Sequence, residues 1–267
     1  MAGDDAVPGG PIEHPAYGVV RPVTDTASVL LADNPGKMTL DGTNSWLLGA
    51  PGSRERIVVD PGPRTRAHID RIVDAADVPL VLITHRHHDH TGGIPRIARL
   101  TGAPVRALNP KYCRGGEPLR DGEVIEAAGV RLTVVTTPGH TADSVSLVLD
   151  DAVVTGDTIL GRGTTVIDSR DGTLGDYLAS LDRLSDVGEG KRLLPGHGPD
   201  GADTAEAARA YRVHRQQRLD QVRGALETLG ADASPLAVVK LVYADIDKRL
   251  WPAARQSVKA QLDYLRS

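Results

Sequence analysis

Residues 84–93 read THRHHDHTGG and place four metal-competent side chains, His85, His87, Asp89 and His90, within six residues. The apolar run Pro79-Leu80-Val81-Leu82-Ile83 stands directly before them and reads as a buried strand. A packed strand that stops in imidazoles and a carboxylate carries those groups to the rim of a sheet. Neutral imidazole nitrogen and carboxylate oxygen suit zinc and similar divalent ions. Taken alone, the segment also reads as a solvated histidine-rich turn with weak metal affinity.

Three further segments have the same form, an apolar run, a turn and a ligand. VRLTVVTTPGHT at 130–141 leads to His140, AVVTGDT at 152–158 to Asp157, and RLLPGHG at 192–198 to His197. A glycine precedes each ligand, where it permits a sharp turn and removes a side chain from a crowded place. Several such strand ends in one chain are hard to explain as separate accidents.

The set His85-x-His87-x-Asp89-His90, His140, Asp157 and His197 resembles the metallo-β-lactamase superfamily of hydrolases. The resemblance implies an α/β fold, the αββα sandwich, with metal at one edge. It implies that His85, His87 and His140 hold one metal, that Asp89, His90 and His197 hold a second, and that Asp157 bridges both. It also implies two zinc ions per chain, with manganese or iron as alternatives. Relatives that hydrolyse antibiotics commonly place Cys or Ser where Asp157 or His90 stand, and redox diiron relatives carry Glu in place of His87. Here the single cysteine, Cys113, lies outside every motif.

NPGKMTLDGTNSWLL at 34–48, GDTILGRGTTVI at 156–167, PGHGP at 195–199 and VYADIDKRLWPAARQSVKAQLDYL at 242–265 are similar to a narrower group. That group is the mitochondrial β-lactamase-like endoribonuclease family with its bacterial relatives. It implies cleavage of phosphodiesters in single-stranded RNA by metal-activated water. The alternative is a thioesterase resembling glyoxalase II, whose relatives share the His-x-His-x-Asp-His loop; fungal thioesterases also resemble it. In either case Asp89 is expected to accept a proton or orient the nucleophile. A metal-stabilised interaction module without turnover is the third reading, and the size of the ligand set argues against it, since structural zinc sites are usually closed by four ligands.

Composition narrows the setting. The chain has 267 residues, no Phe and 3% aromatics, so its core must come from Val, Leu, Ile and Ala, and stacking on bases is a limited option. One cysteine excludes an intramolecular disulfide and fits a reducing cytoplasm. No apolar run approaches the roughly 20 residues of a membrane span. Residues 201–267 carry 11 Lys and Arg against 8 Asp and Glu, and the remainder 20 against 27. In the basic tail Arg209, Arg212, Arg215 and Arg218 recur at helical spacing. A solvated face with intrahelical pairs is the preferred reading, and a phosphate-contacting stripe the other.

Residues 1–16 are expected to form a flexible arm, 17–200 the sandwich, and 201–267 a small helical, winged-helix-like unit beside the metal mouth. One strand-like segment is expected over 19–31. A long helix is expected to start near Asp203 or Thr204, with further helices after Ser234 and from Trp251. Asp60 is the leading candidate to orient an imidazole, with Thr84, Thr141 and Ser144 as others, Ser144 more as a turn cap. His88 should point away from the metals, and His14, His68 and His214 should lie at the surface. Asn44 binds substrate or fixes a turn, and Arg162 lies in a glycine-flanked loop expected to line the cleft.

Overall fold

The computed structural model describes residues 14–168, 170–244 and 247–266. The first thirteen residues of the expected arm lie outside this range. Among the described residues, eleven strands form two sheets. The first holds, in spatial order, β1 (Val20–Pro22), β2 (Ala27–Leu31), β3 (Asn44–Leu48), β4 (Glu55–Val59), β5 (Asp77–Leu82) and β6 (Val105–Arg106). The second holds β7 (Val124–Ala127), β8 (Val130–Thr136), β9 (Val145–Val148), β10 (Ala152–Gly156) and β11 (Arg192–Pro195), again in order. Pairing is antiparallel except at β4–β5, β5–β6 and β10–β11.

The central strands are buried on both faces, so they read as continuous apolar runs rather than alternating ones. Side-chain alternation then assigns neighbours to different cores. Trp46, Leu48, Ile57, Val59, Leu80 and Leu82 face the second sheet and meet Leu132, Val134, Leu147, Val154 and Leu194. Leu47, Val58, Val81 and Ile83 face outward onto α1 (Arg66–Ala75) and α3 (Ile94–Thr101), through Ile69, Ile72, Ile94 and Ile97. Behind the second sheet, α4 (Leu174–Val187) and the start of α5 (Thr204–Leu229) cover Val153 and Leu193. The layers are helix, sheet, sheet, helix, as the sequence implied.

α5 runs on past the sandwich. Val222 and Ala225 near its C-terminal end pack with Val238 and Val239 of α6 (Pro235–Val242) and with Val258 and Leu262 of α7 (Trp251–Arg266). The N-caps are as expected: Asp203 accepts from the Glu206 amide, and Ser234 from the Ala237 amide with Pro235 at the first turn. No described helix is long and apolar enough to cross a membrane.

Two local expectations fail. The segment 19–31 is a hairpin of β1 and β2, because Thr24 Oγ1 accepts from the amides of Thr26 and Ala27 and turns the chain. His68 is buried, 2.8 Å from Ser45 Oγ, because α1 lays it with Ile69 and Ile72 toward the first sheet.

Burial, with a further push from Arg71, lowers the His68 pKa from 6.5 to about 4. Below pH 6.5 the unfolded chain takes up a proton that folded His68 refuses, so stability is lost as pH falls toward 4. The loss is roughly 3 kcal/mol at most, since each tenfold change in proton affinity is worth ~1.4 kcal/mol. Urea denaturation of wild type and His68→Gln at pH 6.5 and 4.5 should show a shallower acid loss in the variant. Equal losses would contradict the buried, neutral assignment.

Candidate metal centre

The seven sequence-predicted residues meet at one edge of the sandwich. β5 ends at Leu82, and the chain turns through Thr84 and His85 into the single helical turn α2 (His88–Thr91). β8, β10 and β11 deliver His140, Asp157 and His197 from the second sheet. Asn44, at the start of β3, links the sheets here. Its Nδ2 donates to the carbonyls of Pro195 and Gly198, and the indole of Trp46 donates to Pro195 as well. Asn44 thus fixes the turn that carries His197. Gly196 in that turn has no room for a side chain: a Cβ would stand 2.3 Å from Asp157 Oδ1 and 2.9 Å from His90 Cε1.

Two groups could each hold a metal ion: His85, His87, His140 and Asp157, and Asp89, His90 and His197. In the first, His87 Nδ1 lies 3.0 Å from both His85 Nε2 and His140 Nε2. Asp157 Oδ2 is 3.9 Å from His85 Nε2 and 3.7 Å from His140 Nε2. In the second, His197 Nε2 is 3.2 Å from His90 Nε2 and 3.1 Å from Asp89 Oδ2. Asp157 also reaches this group, at 3.5 Å from His90 and 3.4 Å from His197. It therefore stands between the two.

The outer nitrogen of every imidazole in these two groups is engaged. His140 Nδ1 donates to the Val166 carbonyl at 2.6 Å, and His197 Nδ1 to the Gly42 carbonyl at 2.9 Å. His90 Nδ1 donates to Asp60 Oδ2 at 2.8 Å, and His87 Nε2 to Asp168 Oδ2 at 3.0 Å. Thr84 Oγ1 donates its proton to Asp60 Oδ2 at 2.6 Å, so it accepts from His85 Nδ1 at 3.0 Å. A neutral ring that donates outward turns its lone pair inward. Five lone pairs and two carboxylates thus share one space, which suits divalent cations and little else.

Charge makes the same demand. Burial alone would make the histidines neutral, and it holds His85 well below its ordinary range and lowers His140. At His90 burial is outweighed by Asp157, Asp60 and Asp89, which raise its pKa to about 9. At His197 burial is outweighed chiefly by Asp157, which raises it well above 6.5. The carboxylates pull positive charge into the site. Asp157 Oδ1 is buried with no hydrogen-bond partner, as an oxygen facing a cation would be.

Among the other candidates, Asp60 and Thr84 do orient imidazoles. Thr141 and Ser144 bond each other and the local turn instead. His14 reaches Asp41, and Arg162 pairs with the same carboxylate across the mouth. His88 belongs to neither ligand group. The arginine stripe is turned to the protein itself: Arg209 pairs with Glu189, Arg212 with Asp182, Arg215 donates to the Thr165 carbonyl, and Arg218 lies over Tyr243. Arg209 and Arg212 reach other elements while staying 53% and 37% exposed, and Arg218 also bonds His214 and Gln221 on its own helix, so the expected solvated face with intrahelical pairs holds in part. Sequence reasoning missed Asp168, which also binds Arg86 and Arg170. The polar run Asp168-Ser169-Arg170-Asp171 between two apolar stretches was its one signal.

Asp60→Asn should weaken divalent-metal binding about 10–100-fold, the usual effect of losing an outer partner. Chelator competition measures it, and an unchanged affinity would remove Asp60 from the metal scaffold.

Residues 38–197 match the profile of the metallo-beta-lactamase superfamily, and residues 234–267 that of the beta-lactamase associated winged helix domain. The chain is 33% identical to a beta-lactamase-like protein 2 homolog of Drosophila melanogaster, over 92% of this chain and 89% of that one. It is 36% identical to an atrochrysone carboxyl ACP thioesterase of Aspergillus chevalieri, over 63% of this chain and 56% of that one. A beta-lactamase domain protein from Burkholderia ambifaria has the same fold, with a TM-score of 0.78 at 22% identity over 94% of this chain and 89% of that one. Ligand-rich strand ends, a helix-flanked pair of sheets and these similarities lead to one assignment: the chain belongs to the metallo-beta-lactamase superfamily of hydrolases.

Proposed function

We propose that this protein is a dinuclear metal-dependent hydrolase of small acyl-thioesters, with two zinc ions held by His85, His87 and His140, by Asp89, His90 and His197, and by Asp157 between them. The observation that carries the substrate class is the mouth. It is a cavity of about 140 Å³ against His140 and Asp157, with Met38, Leu40 and Leu160 as an apolar wall and Lys37 and Arg162 at its polar side. That is smaller than the roughly 300–1,000 Å³ of sites that enclose drug-sized ligands. A short acyl group fits it, with an anionic leaving-group tail near Lys37 and Arg162.

Bound divalent cations in such a pocket lower the pKa of water and polarise the scissile carbonyl. The chain's own residues do the rest. Asp157 lines the cavity, and Asp89, its side chain 27% exposed against 9% for Asp157, is the more solvent-accessible of the two carboxylates. Asp89, with Oδ2 3.1 Å from His197 Nε2, is placed to accept a hydrogen bond from the attacking water and align it. Attack at the carbonyl carbon breaks the C–S bond and releases a carboxylate and a thiol.

Endonucleolytic cleavage of single-stranded RNA is the second reading, supported by the winged-helix match at residues 234–267. The burial of Arg215 and the pairing of Arg209 with Glu189 and of Arg212 with Asp182 weaken the case for a phosphate-contacting stripe on α5.

Purified protein is offered acyl-thioesters, with thiol release followed by colour, and separately a labelled single-stranded RNA. The expected result is thioester turnover that falls more than about 100-fold in His87→Ala, with the RNA intact. RNA cleavage that depends on His87, without thioester turnover, would reverse the assignment.

A further inference from the structure

The chain between Asp157 and α4 has no helix or strand of its own among the described residues, yet the metal centre leans on it. Val166 and Asp168 supply the outer acceptors for His140 and His87, two of the three imidazoles in the first ligand group. The second group takes its outer acceptors elsewhere, from Asp60 after β4 and from Gly42 before β3. Backbone bonds fasten the segment near its ends, from Gly161 to the His197 carbonyl and from Asp168 to the His140 carbonyl.

Three side chains from the C-terminal helices hold the stretch between. On α5, Tyr211 Oη accepts from the Leu160 amide at 3.1 Å and donates to the Leu160 carbonyl at 3.2 Å. Also on α5, Arg215 Nη2 donates to the Thr165 carbonyl, one residue before the carbonyl that receives His140. On α7, Gln256 Nε2 donates to the Ile167 carbonyl at 2.8 Å, one residue after it.

Arg215 is the telling member. It is 4% exposed, its guanidinium lies 5.0 Å from the Tyr177 ring centroid, and its Nε has no hydrogen-bond partner. No carboxylate pairs with it among the described residues. A buried cation without an anion is destabilising, and an apolar side chain of similar size would usually be at least as stable there. The Tyr177 ring offsets part of that cost. The guanidinium's hydrogen bond goes to the carbonyl beside the His140 acceptor.

We propose that the C-terminal helices are a brace for one half of the metal centre. Arg215, with Gln256, acts as a positioning residue. Through Thr165 to Asp168 it sets His140 and His87, so affinity at the first metal site depends on the C-terminal unit and affinity at the second does not. This rests on the dinuclear reading above.

The test uses full-length protein and cobalt(II), read by its absorption spectrum and by titration. His197→Ala weakens the second group and reports mainly on the first; His140→Ala does the converse. In the His197→Ala background, Arg215→Met should lower cobalt affinity about tenfold or more, and Arg215→Lys, which can still donate to Thr165, should restore part of it. In the His140→Ala background Arg215→Met should change nothing. Gln256→Leu should repeat the pattern more weakly, and it carries the test if Arg215→Met does not fold. Equal affinities with and without the substitution in the His197→Ala background would overturn the brace and leave the dinuclear site standing. Equal losses in both backgrounds would also overturn it, as a general loss of structure. A wild-type chain that takes up no cobalt would overturn both.

Discussion

The outer hydrogen bond of each imidazole is the constraint on which the site depends. A histidine ring has two nitrogens, and a proton fixed on one leaves a lone pair on the other. Here the fixed proton points outward in all five rings, to Thr84, Asp60, Asp168 and the carbonyls of Val166 and Gly42. Turning any one ring would strand a buried acceptor and put an N–H against its neighbours. The inner nitrogens, 3.0–3.2 Å apart, are crowded beside Asp89 and Asp157, which draw positive charge onto His90 and His197, and a divalent cation answers both demands.

The sandwich exists, from the site's point of view, to bring these acceptors and donors to one edge. β5 of one sheet and β8, β10 and β11 of the other end on the same side, and Asn44 and Trp46 tie the sheets together where they meet. Close approach is then limited by side-chain bulk, which is why Gly196 stands where Asp157 and His90 converge. Behind the second sheet, α5 both covers the core and reaches over the edge to the segment that supports His140. The helical unit and the metal edge are thus parts of one hydrogen-bonded framework.

Much of this was legible in the chain. The layered fold followed from the mix of strands and interspersed helices and from the family resemblance of the ligand motifs, and the seven ligand candidates from their place just after apolar runs. Asp60 was legible for the same reason. What escaped was supplied by the backbone: the carbonyls of Gly42 and Val166 belong to every residue type and leave no mark in a sequence. Asp168 escaped because its partner His87 is 81 residues away. His68 escaped because one polar residue on an apolar helix face looks the same whether the face turns in or out. The regular spacing of Arg209, Arg212, Arg215 and Arg218 suggested a solvated surface, and Arg209 and Arg212 do stay 53% and 37% exposed, but Arg215 is buried against the sandwich.

The most direct test is anomalous diffraction from crystals grown with zinc. Two peaks should appear, one among His85, His87, His140 and Asp157, and one among Asp89, His90, His197 and Asp157. Density without either peak, with these side chains in the same places, would contradict a dinuclear hydrolase.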